Sequence, residues 1–161
     1  NAKATFFCIG KNIEKNPKLL QKIIEENHTI GNHTQNHLKG WKYSKKEYLD
    51  NVLKCEKTIT QFNNLTTGQK LFRPPYGKIK NSQGKGLLKK GYKIIMWDVI
   101  SGDFDVSVTD KKCLQNVLKN TKNGSIIVFH DSVKASKKLY YTLPKILTEF
   151  SKKGFQFKAI S

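Results

Sequence analysis

Two of the four histidines in the sequence stand four positions apart, in Gly31-Asn32-His33-Thr34-Gln35-Asn36-His37. Imidazoles at that spacing can converge on one point, on a helical turn or around a tight loop. Neutral imidazole nitrogen is a good ligand for zinc and similar divalent ions. The same residues could equally be polar members of a loop, and His-x-x-x-His alone does not separate the two uses. A further histidine, His130, closes the apolar run Ile126-Ile127-Val128-Phe129 and is followed by Asp131. An apolar neighbourhood with a nearby carboxylate tunes an imidazole for proton transfer near neutral pH. Local hydrogen bonding is the blander use of such a residue.

Arg73-Pro74-Pro75-Tyr76-Gly77 contains the only arginine of the chain and half of its four prolines. In a sequence that otherwise uses lysine, an arginine points to a need for bidentate geometry. The prolines stiffen the backbone, and a rigid loop can aim the N–H of Tyr76 at a developing oxyanion. A structural turn with an arginine on its rim is the alternative. The segment Met96 to Asp105 carries three of the six aspartates, Asp98, Asp103 and Asp105. Any of them could orient His130 or Arg73, or bind a metal. Trp97 and Phe104 are candidate walls of a sugar-binding groove, or core.

These residues need elements to hold them. Apolar periodicity predicts strands at Ala4 to Ile9, His28 to Gly31, Leu71-Phe72, Tyr92 to Val99, Ser125 to Phe129 and Phe155 to Ala159. Helices are expected at Pro17 to Glu26, where proline suits the first turn, and from Ser44, with Glu47 completing a capping box. Tyr48, Leu49, Val52, Cys55, Ile59 and Phe62 form that helix's apolar stripe, and Asn63 to Gly68 reads as a turn. A loop holding Gly77, Gly84 and Gly86 follows, with Gly86 to Lys90 as the end of a short helix, and further helices are expected at Thr109 to Lys119 and at Leu139 to Ser151 with Pro144 in its early part. Alternating strands and helices imply a parallel sheet with crossover helices. Such sheets place chemistry at the carboxyl ends of their strands. His33, His37, Arg73, the three aspartates and His130 all fall there.

The chain has 161 residues, enough for one domain with a reasonable core, and residues 1–161 read as a single domain. No apolar run approaches the ~18–20 residues that cross a membrane. The first residues read as a strand already under way, so the polypeptide is expected to continue upstream. The net charge is +18, with one arginine among 30 basic residues. The lysines are spread along the chain, which argues against a dedicated nucleic-acid face and leaves room for approach to an anionic matrix. Cys8, Cys55 and Cys113 show no metal or redox spacing and read as buried free thiols.

The order of these motifs resembles the polysaccharide deacetylases with the NodB homology domain, carbohydrate esterase family 4. Lys3 to Gly10 looks like the family's KATFF-x-x-G strand. His33-Thr34-Gln35-Asn36-His37 matches H-[ST]-x-x-H, Arg73 to Gly77 matches R-P-P-Y-G, and Val128-Phe129-His130 stands at L-x-H. The resemblance implies a distorted (β/α)7-type barrel, an α/β fold, with the first strand and helix missing. It implies a metal-dependent hydrolase that removes acetyl groups from a polysaccharide, most simply N-acetylglucosamine units of peptidoglycan or a chitin-like polymer. By the same resemblance His33 and His37 ligate a divalent metal, zinc or in its place cobalt. The Tyr76 N–H holds the oxyanion, His130 protonates the leaving group, Arg73 orients the base, and Asp103 pairs with His130. Tyr76, Trp97 and Phe104 would meet the sugar. A monomer in the cell envelope or secreted is expected.

The sequence also departs from the family pattern. It has no Asp-Asp pair, the source of the base and third ligand in the family. Ile100 replaces the first aspartate of D-x-x-D-W, Phe104 its tryptophan, and Val128 the leucine of L-x-H. The competing expectations are a catalytically impaired carbohydrate-binding relative, whose glycan binding would survive chelation, and a basic nucleic-acid-binding domain, whose affinity would fall steeply with salt.

Overall fold

A computed structural model describes residues 2–62 and 69–160. The turn expected at Asn63–Gly68 lies outside them, as does the side chain of Phe62. The described residues form two compact units, Lys3–Met96 with the residues from Lys158 onward, and Trp97–Phe157.

The first unit is a four-stranded sheet in the order β1 (Thr5–Cys8), β2 (Thr29–Asn32), β3 (Lys70–Phe72), β4 (Tyr92–Ile94), every pair parallel. Parallel neighbours need a crossover, and helices supply them. A short helix the periodicity did not indicate, α1 (Gly10–Lys15), precedes α2 (Pro17–Glu25), which starts on Pro17 and buries Leu20 and Ile23. Asn27, at φ 57°, turns the chain into β2. The third helix, α3 (Lys45–Phe62), opens on the expected capping box. The Ser44 N–H donates to Glu47 Oε2 at 2.8 Å, and the Glu47 N–H to Ser44 Oγ at 3.2 Å. Those bonds hold the Glu47 carboxyl below its ordinary range. Tyr48, Leu49 and Val52 from α3 pack with Phe72, Leu87 and Tyr92 as the core.

The short helix expected to end over Gly86 to Lys90 is α4 (Asn81–Lys89). Gly84 and Gly86 lie inside it rather than in a loop. The reason at Gly86 is packing: a Cβ there would stand 2.9 Å from a Leu49 methyl. The signal was obscured because glycine is poor in helices by propensity.

The second unit has two parallel strands, β5 (Val99–Ile100) and β6 (Ile127–Val128), with helices α5 (Asp110–Asn120) and α6 (Ser136–Lys152). Thr109 caps α5, its Oγ1 accepting the Lys112 N–H at 3.1 Å. Val99, Val117, Ile146 and Phe150 are its buried core, with Phe129, Phe155 and Phe157 against them. Because α6 begins at Ser136, Pro144 sits mid-helix and not early in it. An interior proline costs roughly 3 kcal/mol, and burial of Ile146 and Phe150 one turn on offsets it.

Two expected strands are corrected. The run Tyr92 to Val99 is two strands, β4 pairing with β3 and β5 with β6. Asp98 marks the change: its N–H donates to the Ile126 carbonyl at 3.0 Å, and its Oδ2 accepts the Ile126 N–H at 2.8 Å. Phe155 to Ala159 forms no strand among the described residues. Phe155 packs on Phe150 with ring centroids 5.0 Å apart, and a side-chain bond, Ile160 N–H to Thr5 Oγ1 at 2.8 Å, ties down the residues beyond.

Among the described residues no helix is long and apolar enough to cross a membrane. Cys55 and Cys113 are buried free thiols, while Cys8 is only partly buried. Burial pushes the Cys55 thiol up to about 12 and raises Cys113 as well.

Phe72→Ala should cost about 3–5 kcal/mol, read from urea unfolding, because it opens a cavity at the middle of the first core. Thiol labelling at pH 8 should leave Cys55 unmodified in the folded protein. With its pKa near 12, about one thiol in ten thousand is then thiolate. Urea should release both buried thiols to ordinary reactivity.

Candidate active site

β2 ends at Asn32, and the loop that follows carries both histidines of the first motif. The loop is built on buried polar side chains. Asn32 Nδ2 donates to the Val52 carbonyl at 2.8 Å, and its Oδ1 accepts the Thr34 N–H at 2.9 Å. Asn51 Oδ1 accepts the N–H groups of Gln35 and Asn36. The Gln35 amide donates to Glu14 Oε1 at 2.8 Å and accepts from the Thr58 hydroxyl at 3.2 Å. A Cβ on Gly10 would collide with that Gln35 amide, so glycine is required beneath the loop. The middle letters of His-Thr-Gln-Asn-His are therefore scaffold. Thr34 (φ 66°) and His37 (φ 54°) lie in the left-handed region, a local cost of about 1–3 kcal/mol each that surrounding structure must enforce.

The result faces His33 and His37 toward each other, ring centroids 5.0 Å apart. His33 Nδ1 lies 2.7 Å from the Arg73 carbonyl. A carbonyl only accepts, so the proton is on Nδ1 and the lone pair on Nε2, the tautomer of a ligating histidine whose far nitrogen is held by an outer partner. The pair can thus supply two nitrogen ligands to a divalent ion. Among the described residues no group of three or more His, Cys, Asp or Glu is placed to hold one.

Arg73 is 9 % exposed. Its Nε and Nη2 donate to the carbonyls of Ile95 and Met96 at 3.1 and 2.9 Å, and its guanidinium stacks 4.1 Å from the Phe7 ring centroid. Phe7 can lie there because Gly31 has no side chain; a Cβ would come 2.5 Å from the ring. Burial draws the guanidinium down to about 10, which leaves it cationic at neutral pH. The bidentate fork expected of a lone arginine is realised on main-chain carbonyls.

Pro74 and Pro75 are buried and lead into a single 3-10 turn, Pro75–Gly77. Tyr76 within it has φ 60°. The turn uses the N–H groups of Gly77 and Lys78, and the Tyr76 N–H, at its start, has no acceptor within the turn. The Tyr76 ring stands 4.7 Å from His37 and 5.6 Å from Trp41. Trp41 was not among the residues singled out from the sequence. Its position four residues after His37, as one of two tryptophans, was the available signal.

In the second unit Asp103 is fully buried. Its Oδ2 accepts the His130 N–H at 2.6 Å, and its Oδ1 lies 2.8 Å from His130 Nδ1. One carboxylate fixes both backbone and ring of the histidine. This puts the Nδ1 proton toward Asp103 and leaves Nε2 as the nitrogen for proton exchange. Phe104 meets the His130 ring edge-on at 5.0 Å. Lys138 Nζ clamps the same loop, donating to the Asp105 carbonyl at 2.9 Å. Asp105 is partly buried; its carboxyl accepts the N–H and the hydroxyl of Ser107, which together lower its pKa. Asp98 is spent on Ile126, Asp131 is exposed, and Trp97 is half-buried. The structure thus joins Asp103, His130 and Phe104, and, in the first unit, His33, His37, Arg73 and Tyr76.

A family model, polysaccharide deacetylase, matches residues 1–95. The chain belongs to the polysaccharide deacetylase family. These are hydrolases, and the α/β fold here is theirs. A peptidoglycan-N-acetylglucosamine deacetylase of Bacillus cereus is 34 % identical over 161 residues, 99 % of this chain and 74 % of the relative. Chitin deacetylase 2 of Saccharomyces cerevisiae is 33 % identical over 158 residues, 89 % of this chain and 47 % of its own. A solved peptidoglycan N-acetylglucosamine deacetylase, bound to an N-hydroxybenzamide, superposes with a TM-score of 0.92 at 32 % identity, over 99 % of this chain and 74 % of that one. The chain spans from about a third to three quarters of the length of the curated relatives it matches.

Asp103→Ala should destabilise the second unit by about 1–3 kcal/mol, since it strips the acceptor from two donors of His130. Asp103→Asn keeps one acceptor and should cost less. Chemical denaturation ranks the variants, and nitrogen-15 spectra of His130 should show the tautomer change in both.

Proposed function

We propose that this deacetylase chain removes acetyl groups from the N-acetylglucosamine units of a cell-wall glycan, and that it does so at the cell envelope. The observation that carries the reading is the fixed imidazole tautomers: His33 by the Arg73 carbonyl and His130 by Asp103. Loop histidines without a chemical task have no need of a buried partner at one named nitrogen.

His33 and His37 would hold a divalent ion, zinc or cobalt, through nitrogens of one loop. Bound there, the ion would supply Lewis acidity to an acetyl carbonyl. The chain's own groups supply an oxyanion donor, positioning contacts and an acid. The Tyr76 N–H donates to the oxygen on which charge develops. The Arg73 guanidinium, fastened to Ile95 and Met96, keeps the loop carrying Tyr76 and the carbonyl under His33 in place. Asp103 holds His130 so that Nε2 hands a proton to the departing nitrogen. Tyr76 and Phe104, both exposed, offer faces for pyranose rings.

A second reading is favoured by one observation, the lack among the described residues of a third ligand beside the two histidines. On that reading the chain binds glycan without hydrolysing it.

Titration with zinc or cobalt, followed by calorimetry and by cobalt absorption, should show weak binding. His33→Ala or His37→Ala should weaken it by about 10–100-fold. Acetate release from N-acetylglucosamine oligomers should be slow, should stop with a chelator, and should fall by a factor of about 10²–10⁴ in His130→Ala. Glycan binding that persists through chelation, with no acetate released at any metal concentration, would favour the second reading over the first.

A further inference from the structure

The loop between β5 and α5 places Asp103 and Phe104 at the two corners of one turn. The Asp105 N–H donates to the Gly102 carbonyl at 3.1 Å, which closes a four-residue turn with Asp103 and Phe104 at its centre. One corner supplies the carboxylate that fixes His130. The other supplies the ring that meets His130 edge-on at 5.0 Å. Such a turn has one adjustable part, the peptide between its corner residues. Turns of types I and II differ by the direction of that peptide, and the second corner's backbone angles change with it.

Two helices grip the turn. From α5, Asn116 Nδ2 donates to the Ser101 carbonyl at 3.0 Å, and the Asp103 N–H donates to Ser101 Oγ at 3.3 Å. From α6, Lys138 Nζ donates to the Asp105 carbonyl at 2.9 Å and, more loosely, to that of Asp103 at 3.4 Å. The Asp103 carbonyl belongs to the adjustable peptide. A single ammonium thus holds the carbonyls on both sides of Phe104 and fixes the backbone from which its ring departs. Phe104 is 40 % exposed, so packing alone does not keep that ring against His130. Lys138 itself is half-buried, whereas the side chain of its neighbour Lys137 is 87 % exposed. Immobilising a lysine side chain loses more rotamer freedom than almost any other.

We propose that Lys138 is a positioning residue, which acts through the Asp103–Phe104 peptide to hold the Phe104 ring beside His130. Asp103 sets the tautomer of the imidazole, and Lys138 sets the aromatic wall next to it. The two tasks are separable because the carboxylate and the main-chain carbonyl of Asp103 have different partners. The proposal rests on the deacetylase reading only in its last step, that a sugar meets this wall.

Lys138→Met keeps the length of the side chain and removes its donor. The ring current of Phe104 acts on the His130 ring protons, so Phe104→Ala gives their resonance positions without it. Lys138→Met should move those resonances most of the way from the wild-type positions to those of Phe104→Ala. Nitrogen-15 spectra of the same variant should still report the wild-type tautomer, because the Asp103 carboxylate is untouched. Lys138→Arg, which restores a cationic donor, should bring the ring protons back toward wild type. With an N-acetylglucosamine tetramer in calorimetry, Lys138→Met and Phe104→Ala should each weaken binding about fivefold. The double variant should lose about the same, rather than the about 25-fold of independent sites. Circular dichroism confirms folding; should Lys138→Met fail that check, Lys138→Gln serves in its place. A lysine that only braces the fold would lower stability and leave the His130 resonances where they are, which would overturn the proposal. So would a changed tautomer, a failure of arginine to restore the resonances, or multiplicative losses in the double variant. The spectra decide the matter whether or not the chain binds or hydrolyses glycan; absence of acetate release bears on the preceding reading alone.

Discussion

Asn32 is the last residue of β2, buried, with both ends of its amide in use: the nitrogen on the Val52 carbonyl of α3 and the oxygen on the Thr34 N–H. A strand that ends inside a protein must dispose of backbone donors and acceptors that no neighbour pairs. Here one side chain takes over that task and binds the histidine loop to the helix behind it. The loop can then leave the sheet in left-handed steps at Thr34 and His37 without exposing buried polar atoms. The direction of two imidazoles follows from a hydrogen-bonding obligation met one residue earlier.

The same economy recurs in the second unit with a charge in place of an amide. Asp103 is fully buried, and its two oxygens serve the main chain and the ring of one histidine. A buried carboxylate is tolerated only with such partners. In each unit a hydrogen-bond acceptor sets the tautomer of an imidazole, the Arg73 carbonyl that of His33 and the Asp103 carboxylate that of His130. Arg73 follows the rule from the other side, its cation solvated by two carbonyls and an aromatic face.

Much of this was legible in the sequence because it depends on local chemistry. Pro17 announced α2 and Ser44 with Glu47 announced α3, each by a terminus that a missing N–H or side chains satisfy. The placement of polar residues after apolar runs located His33, Arg73, Asp103 and His130. What stayed hidden depends on partners distant in sequence. Tyr92 to Val99 reads as one apolar strand, yet its two halves pair with different neighbours. Gly84 and Gly86 look like loop residues until Leu49 is seen against the helix. Trp41 carries no periodic signal because it lies in a turn, and its meaning comes from Tyr76, thirty-five positions on in the printed sequence.

The first unit is discontinuous along the chain. Residues from Lys158 onward belong with Lys3–Met96, and the Ile160 N–H meets Thr5 across 155 positions. During synthesis the sheet that carries the histidine loop therefore waits for Ile160 to be made before β1 is fully tied. Until then the nascent protein holds that strand by partial pairing alone, a state that chaperones recognise. Closing so distant a contact also slows folding, so the histidine loop matures only after the second unit has been made.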